Sequence, residues 1–205
     1  MTTTASPSVG GAEEKRQLIL AAALGVLVEK GYARTRMRDV GDRAGVSVGL
    51  IQHYFDSREN LLAQAMLHSS HRLLDAFARE SQESHAPWRR VTRMIALLAS
   101  VPSLDDQARL WLESSNMVMQ YPHLSPLLQR VYDAWRDHLG AAIAAGVDDG
   151  SLDPVASVDE VVAIILAFID GYEFEIATGL ADGDPAVLER RALTLAAALV
   201  RPANP

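Results

Sequence analysis

The stretch AGVSVGLIQHYF, residues 44–55, decides the fold of the N-terminal part of this chain. Ser47 can begin a short helix, because a serine side chain accepts a hydrogen bond from a backbone N–H of the first helical turn. Helical periodicity places a mostly apolar set on one face, namely Leu50, Ile51, Tyr54 and Phe55. The opposite face consists of Val48, Gly49, Gln52 and His53. We therefore expect a helix that is anchored on one side and free on the other.

The same stretch contains GVSVG, residues 45–49, which matches the G-x-S-x-G nucleophile elbow of serine hydrolases. That elbow requires a β-strand leading into the serine. The preceding RMRDVGDRAG, residues 36–45, instead predicts a short amphipathic helix capped by Thr35. Its inward side chains are Met37, Val40 and Ala44. The context therefore disfavours a hydrolase.

The flanking segments extend this arrangement. Apolar residues recur at helical spacing within residues 13–30, and Gly31 supplies the stop of a first helix. After the third helix, Asp56 with Glu59 three residues on predicts a capped fourth helix that runs to about Ser81. Helices two and three, with the glycine turn between them, form a helix-turn-helix, whose second helix presents its free face to the DNA major groove.

The free face of the third helix carries residues that can read DNA. Gln52 can make a bidentate contact to adenine, His53 can donate to a base or a phosphate, and Gly49 allows close approach of the backbone. Nearby hydroxyl and guanidinium groups can hold phosphates. The predicted DNA-binding residues are Thr35, Arg36, Arg38, Ser47, Val48, Gly49, Gln52, His53, Tyr54 and Arg58. Each could be an ordinary solvated residue, but their convergence on one short helix favours DNA.

Composition and charge agree with a helical protein that binds DNA locally. The 205 residues are 49% hydrophobic and 6% aromatic, which favours helices packed on helices, and the absence of cysteine excludes disulfides and thiol chemistry. The net charge is −7 overall, yet residues 30–58 contain six basic and three acidic residues, whereas residues 61–205 contain 11 basic and 19 acidic residues. A small basic patch thus lies on an acidic body.

Further helix-start signals mark the rest of the chain. They are Pro87, SLDD at Ser103, SP at Ser125, SVDE at Ser157 and DP at Asp184. No stretch alternates apolar and polar residues for long enough to predict a strand. The sequence predicts an all-α fold of about nine helices, with a flexible arm at residues 1–11, a helix-turn-helix domain at residues 12–57 and a second helical domain at residues 58–205.

Localisation is expected to be cytoplasmic, without membrane contact. Residues 1–11 lack the basic and apolar regions of a secretory signal. The longest apolar run, residues 161–169, is too short to cross a bilayer.

The run GYARTRMRDVGDRAGVSVGLIQHYFDSRENLL, residues 31–62, resembles the DNA-binding segment of the TetR family of bacterial regulators. Its HYF ending is similar to the subgroup that includes regulators of choline and betaine genes. The resemblance implies a homodimer that represses genes from a palindromic double-stranded operator and is released by a small-molecule effector bound in residues 58–205. Three residues depart from the family pattern: Arg36 replaces the usual Thr or Ser, Gly41 the usual Ala and Arg58 the usual Lys. Arg58 keeps the phosphate-binding charge, and Gly41 is expected to loosen the second helix by about 1 kcal/mol.

The later helices carry aromatic and polar residues that the resemblance places around an effector. The candidate ligand-binding residues are Trp111, Ser114, Met117, Tyr121, Tyr132, Trp135, Phe168, Asp170 and Tyr172. Aromatic walls beside a carboxylate suit a cation, since a cation over a Trp or Tyr face gains about 0.5–2 kcal/mol. Ordinary core packing is the alternative for each of these side chains.

The last two long helices carry apolar seams. A helix as apolar all round as residues 158–176 must be covered on more than one side. These seams form either an intramolecular core or, as the resemblance favours, a four-helix interface with a second copy. The predicted interface residues are Val161, Ile165, Phe168, Leu188, Ala192, Leu195 and Leu199.

A metal site, an enzyme and a protein-interaction module are the alternatives to DNA binding. His68, His71 and Asp75 share one helix face and could hold a metal, but a solvated face is favoured, so neither a metal nor a cofactor is predicted. An enzyme is disfavoured, because no nucleophile motif stands in its required context and no phosphate loop is present. A helical interaction protein, whose basic patch binds another protein, predicts no preference for operator DNA and little dependence on Gln52 or His53.

Overall fold

The computed structural model describes residues 9–83, 86–99 and 103–203, except for the side chains of residues 9, 10, 69, 71–73, 77 and 80–83. These ranges contain nine α-helices and two short 3-10 helices, and their only β pairing is one antiparallel bridge between Leu152 and Pro202. The α-helices are α1 (Val9–Lys30), α2 (Met37–Ala44), α3 (Val48–Phe55), α4 (Arg58–Glu83), α5 (Pro87–Ala99), α6 (Leu104–Gln120), α7 (Ser125–Asp148), α8 (Val158–Ala177) and α9 (Pro185–Val200). The predicted all-α fold is confirmed.

Side-chain caps begin four of these helices at the predicted residues. The hydroxyls of Ser47, Ser103 and Ser157 accept hydrogen bonds from backbone N–H groups three residues on, at 3.2, 3.2 and 3.3 Å. The Asp184 carboxylate accepts the N–H of Ala186 at 2.9 Å. Each cap satisfies a donor that the first turn of a helix leaves unpaired. The sequence signals at these positions are confirmed.

Two other predicted caps are wrong. The Thr35 hydroxyl does not cap α2 but donates to the carbonyl of Gly31 at 2.8 Å. α4 is capped by Ser57, whose hydroxyl accepts the N–H of Asn60 at 3.1 Å. Asp56 does not cap α4, because it is the residue at which α3 ends and its backbone φ is 59°.

The first helix begins earlier than predicted. α1 starts at Val9, so residues 9–11 do not belong to a flexible arm, and residues 1–8 of that predicted arm lie outside the described residues. Gly10 and Gly11 read as helix breakers, but the residues that follow them are strong helix formers. Helix propagation is cooperative, so a helix formed by those residues extends back through the glycines.

The chain divides into two compact units between Ser69 and Ser70, inside α4. The start of α4 joins the N-terminal unit, where the Asn60 amide donates to the Phe55 carbonyl at 3.0 Å. The domain boundary predicted after residue 57 stays a prediction, because it concerns which part of the chain binds DNA.

Each unit has an apolar core of its own. Fully buried residues of the N-terminal unit include Ile19, Leu20, Val40, Ile51, Phe55, Leu61 and Leu62. In the C-terminal unit, α5, α7, α8 and α9 pack around a larger core, and α6 packs along α8 over a smaller one. α6 and α7 therefore both lie against α8, which is where the candidate ligand-binding residues fall.

Two glycines of α7 have different surroundings. A Cβ at Gly146 would lie 2.3 Å from Cγ of the buried Leu152, whereas a Cβ at Gly140 would meet nothing closer than Val158 Cγ1 at 3.9 Å. We expect Gly146→Ala to lower the free energy of unfolding by about 1–3 kcal/mol through overpacking. Gly140→Ala is the matched control and should raise it by up to about 1 kcal/mol through helix propensity. Urea denaturation measures both, and equal effects would contradict the packing described.

Candidate functional site

The turn between α2 and α3 depends on two glycines. Gly45 ends α2 in the left-handed backbone region, at φ 67°, which glycine adopts without steric cost. The N–H of Val46 donates to the carbonyl of Gly41 at 3.0 Å, and a Cβ at Gly41 would lie 2.8 Å from the Val46 carbonyl oxygen. Gly41 therefore permits close packing of the turn, which corrects the expectation that it merely loosens α2.

α3 is fixed by one face and exposed on the other. Ile51 and Phe55 are fully buried in the N-terminal unit. Gly49, Gln52 and His53 are exposed. The predicted division of this helix into an anchored face and a free face is confirmed.

Three further candidates lie at the margin of the exposed face. Ser47 is exposed, with its hydroxyl engaged as the cap of α3. Val48 and Tyr54 are half-buried, and the Tyr54 ring meets the His53 ring edge-on with centroids 5.6 Å apart. This contact holds His53 beside a side chain that is itself anchored in the unit.

Basic side chains stand at the start of α2, the helix that packs against α3. Arg36 and Arg38 are both exposed. Asp39, on the same helix, accepts the backbone N–H of Arg36 at 3.1 Å and pairs with Lys30 at 2.9 Å. Lys30 holds the pKa of Asp39 below its usual value. The charge of Asp39 is thus balanced by Lys30. Arg36 and Arg38 therefore give the start of α2 a net positive charge.

Thr35 and Arg58 serve the interior of the N-terminal unit. Thr35 is only 1% exposed. Arg58 donates through Nε to the Thr35 carbonyl at 2.7 Å and through Nη2 to the Tyr32 carbonyl, and its guanidinium lies 4.5 Å from the centroid of the Tyr32 ring. These bonds hold the segment before α2, so we assign both side chains a role in the fold, and their predicted phosphate contacts stay predictions.

Arg58→Lys is expected to destabilise the protein, although it keeps the charge. Lysine lacks the planar fork that reaches two carbonyls at once. Hydrogen bonds from a charged donor are worth about 1.5–3 kcal/mol, so we expect the free energy of unfolding to fall by that amount. Arg38→Lys, at an exposed site, is the matched control and should change it by less than about 0.5 kcal/mol. Similar values for the two variants in urea denaturation would contradict this assignment.

The C-terminal unit brings three candidate ligand-binding residues together. The Tyr132 hydroxyl on α7 donates to Asp170 Oδ2 on α8. The Trp111 side chain on α6 also hydrogen-bonds to Asp170, and the Trp111 and Tyr132 ring centroids lie 5.3 Å apart. Three helices thus place two aromatic rings around one carboxylate.

A second carboxylate lies beside this group. Glu173 is 5% exposed and stands three residues after Asp170 on α8. Burial raises the pKa of Glu173 to about 8, and the charge of Asp170 adds to the rise. Burial also raises the pKa of Asp170, against the hydrogen bonds from Tyr132 and Trp111, which lower it. In the sequence, the signal for Glu173 is its position one helical turn after the candidate residue Asp170.

The group borders a cleft between α7 and α8. The cleft has a volume of about 380 Å³, within the range of small-molecule sites. Its lining residues are Gln129, Tyr132, Arg136, Ala163, Leu166, Ala167 and Asp170. A small ligand in this cleft would reach both Tyr132 and Asp170.

The other candidate ligand-binding residues are distributed over α6, α7 and α8. Ser114 and Met117 are buried on α6, and the Ser114 hydroxyl donates to the carbonyl of Leu110 at 2.7 Å. Tyr121 faces His123, with ring centroids 6.2 Å apart.

Three aromatic candidates contribute to the cores of the C-terminal unit. Trp135 packs against the larger core. Phe168 and Tyr172 stack with centroids 6.3 Å apart, and both contribute to the smaller core, as the alternative of ordinary packing had allowed.

Comparison with protein-family models gives two matches along the chain. Residues 19–65 match bacterial regulatory proteins of the tetR family. Residues 87–201, more than half of the chain, match the C-terminal domain of BetI-type transcriptional repressors. The chain belongs to the TetR family. It is a transcriptional regulator with a BetI-type C-terminal domain, and not an enzyme.

Individual TetR-family relatives agree with this. The HTH-type transcriptional regulator BetI of Burkholderia thailandensis is 27% identical over 171 residues, which cover 80% of this chain and 83% of that protein. BetI 1 of Chromohalobacter salexigens is 30% identical over 131 residues, covering 63% and 64%. A transcriptional regulator from Saccharomonospora viridis, solved in complex with choline, shares the fold with a TM-score of 0.77 at 23% identity, over 88% of this chain and 94% of that one.

Part of the dimer interface predicted for this TetR-family chain is covered within the chain itself. Val161, Ile165, Leu188 and Ala192 are at most 2% exposed and pack inside the C-terminal unit. These four side chains belong to the intramolecular core, which was the alternative to an interface, and their contact with a second copy stays a prediction. Phe168, Leu195 and Leu199 are half-buried. The outward stripe of α8 consists instead of Ala163, Ile164, Ala167, Gly171 and Phe174.

Metal binding and membrane insertion find no support in the parts of the chain that the structure describes. No group of three His, Cys, Asp or Glu is placed there to hold a metal ion. In the same parts, no helix is both long and apolar enough to cross a membrane. Of the residues considered for a metal, His71 lies outside the described side chains.

Proposed function

We propose that this TetR-family regulator represses transcription by binding a near-palindromic operator as a dimer, and that a small organic cation in the C-terminal unit releases it. The observation that carries the proposal is the exposed face of Gly49, Gln52 and His53 on a helix anchored by Ile51 and Phe55. That face contributes nothing to the core of its own unit. It corresponds to the part of a helix-turn-helix that enters the major groove.

The residues around this face have two expected roles, which are contact with bases and contact with phosphates. Gln52 can bond both N6 and N7 of adenine, and His53 can donate to an acceptor on a neighbouring base or phosphate. Arg36 and Arg38 can hold phosphates, which orients the protein without reading sequence. The rest of the chain is acidic, so binding should rest on these few cations and weaken as salt rises.

The outward face of α8 supports a dimer. Ile164 is 40% exposed and Phe174 is 50% exposed, which leaves two large apolar side chains in water on one helix. Gly171 is exposed between them, and such a small residue lets a second helix approach closely. A twofold pair formed through α8 and the outer side of α9 would present two recognition helices to half-sites one helical turn, about 34–36 Å, apart.

The cluster of Trp111, Tyr132 and Asp170 supports a cationic effector. A quaternary ammonium ion could lie against the two aromatic rings with its charge balanced by the carboxylate. The cleft beside Tyr132 and Asp170 is large enough for such an ion. The BetI-type match of this unit and the choline complex of the Saccharomonospora viridis regulator favour the same class of ligand.

Release requires a link between the two units, and α4 supplies residues to both of them. We propose that the cation favours a conformation in which α4 moves the paired recognition helices away from the groove spacing. A ligand can do this only through a difference in its affinity for the two states. Operator and effector must then weaken each other's binding by the same factor.

Selection of bound sequences from a random duplex library, at one stated salt concentration, tests the DNA-binding part of this proposal. The wild-type protein is expected to enrich a palindromic consensus. Gln52→Ala and His53→Ala should degrade that consensus at defined symmetric positions. If a folded wild-type protein enriches nothing, the basic patch binds some other partner and the proposal is overturned.

A further inference from the structure

We propose that the site around Asp170 takes up its cation in exchange for a proton held on Glu173, which makes effector binding depend on pH. This inference rests on the proposed cationic effector and names a regulation of that same site. It follows from the placement of Glu173 in the group formed by Trp111, Tyr132 and Asp170.

Glu173 is a carboxyl buried beside Asp170. It is 5% exposed, and the charged group that acts on it is Asp170. Asp170, one helical turn earlier on the same face of α8, has both Tyr132 and Trp111 as donors. Asp170 thus has two donors, whereas the interaction between Asp170 and Glu173 is the repulsion of two carboxylates.

The charged groups around Glu173 come from two helices. Asp170 on α8 raises the pKa of Glu173, and both carboxylates raise the pKa of the Tyr132 hydroxyl on α7. Arg136 on α7 is exposed and lies 5.8 Å from the centroid of the Tyr132 ring, so solvent screens its charge. α6 contributes the uncharged donor of Trp111. The negative charge of Asp170 therefore dominates the field at Glu173.

Burial and the charge of Asp170 determine whether Glu173 is protonated before a ligand binds. Burial and Asp170 raise the pKa of Glu173 to about 8, so below that pH it is mainly neutral. A cation bound beside the pair favours the ionised carboxylate and lowers that pKa, and the proton leaves Glu173 for the solvent. Affinity for the cation then rises with pH, by up to about tenfold per unit, and levels off above pH 8.

Isothermal titration calorimetry with choline as the probe tests this exchange between pH 6 and pH 9. Buffers of different ionisation enthalpy report directly how many protons are released. Glu173→Gln copies the shape of the neutral acid but cannot ionise, so we expect it to bind choline with an affinity that no longer rises toward pH 8. Glu175→Gln, at an exposed carboxylate on α8, is the matched control and should keep the wild-type pH dependence. The neutral isostere 3,3-dimethylbutan-1-ol should show no linked proton in any variant.

The outcomes separate this inference from the proposed function. A pH dependence that is lost in Glu173→Gln and kept in Glu175→Gln supports the exchange. Choline binding with the same pH dependence in wild type and Glu173→Gln overturns the exchange and leaves the cationic effector in place. No choline binding at any pH overturns both.

A second measurement tests Glu173 without any ligand. Its folded-state pKa of about 8 lies above the ordinary glutamate pKa of 4.5, so the folded state binds the extra proton between these two pH values. Stability of the wild-type protein should therefore fall as pH rises from about 4.5 to about 8. Glu173→Gln should remove that part of the decline, and an unchanged decline would contradict the protonated carboxyl.

Discussion

Asp170→Asn is expected to weaken choline binding about 30- to 150-fold and to leave the operator affinity of the effector-free protein unchanged. Asp170 is half-buried and held by Tyr132 and Trp111, so its charge acts on a bound cation with little screening by water. Loss of one partner of such a pair costs about 2–3 kcal/mol, which corresponds to that range of affinity. The measurement is calorimetric titration at pH 9, where Glu173 is ionised, so that the comparison isolates Asp170.

Asp137→Asn provides the control, because Asp137 is an exposed carboxylate on α7. Its effect on choline binding should be less than about twofold, since exposed charges interact weakly through water. A similar loss of affinity in both variants would mean that the acidic surface attracts choline in general. Unchanged affinity in Asp170→Asn would remove the carboxylate from the effector site.

Gln52→Ala is expected to lower affinity for the selected operator by at least about 30-fold without lowering stability. A bidentate contact to adenine discriminates by about 1–3 kcal/mol, and each half-site of a dimer loses one. The side chain is exposed, so its removal leaves the core of the N-terminal unit intact. Fluorescence anisotropy with the operator and with single-position mutants of it measures the loss, which should vanish on sites already altered at the contacted base pair.

Two controls give this prediction its specificity. Gln17→Ala, on α1 of the same unit, removes the same type of side chain and should leave operator affinity unchanged. Arg38→Ala should weaken binding to all sequences alike and reduce the salt dependence by about one phosphate contact per subunit. A uniform loss with Gln52→Ala would show that Gln52 holds the backbone of the DNA instead of reading a base.

The recognition helix could be predicted from sequence because its determinants are local. The cap at Ser47, the spacing of Ile51 and Phe55, and the glycine at 45 act within one or two helical turns. Arg58 could not be assigned in the same way. Its sequence position shows a cation, but its acceptors are backbone carbonyls of Tyr32 and Thr35, which only the folded unit brings within reach.

The C-terminal unit was harder to predict because α8 is apolar on more than one side. The sequence stripe through Val161 and Ile165 is long and regular, and such a stripe predicts either a core or an interface. Packing of α8 against α6, α7 and α9 places that stripe in the core instead. The stripe through Ile164 and Phe174, interrupted by small residues, has a weaker pattern and remains exposed.

In the candidate effector site, residue type was enough to predict Tyr132 and Asp170 as candidates, but it did not predict that they are in contact. Tyr132 and Asp170 are 38 residues apart, and their hydrogen bond depends on how α7 crosses α8. Glu173 lacks any sequence mark of its burial, because a carboxyl beside apolar residues is equally compatible with an exposed helix position. Its role therefore became visible only from the packed structure.

The coupling between effector and operator binding is the central feature of the proposed regulation. The deciding measurement is the affinity of the wild-type protein for its selected operator by fluorescence anisotropy, at fixed salt and pH, with and without saturating choline. We predict that choline weakens operator binding by about 5- to 150-fold, the range of common allosteric couplings. Identical operator affinity in the presence and absence of choline, with choline shown to be bound, would contradict the proposed release.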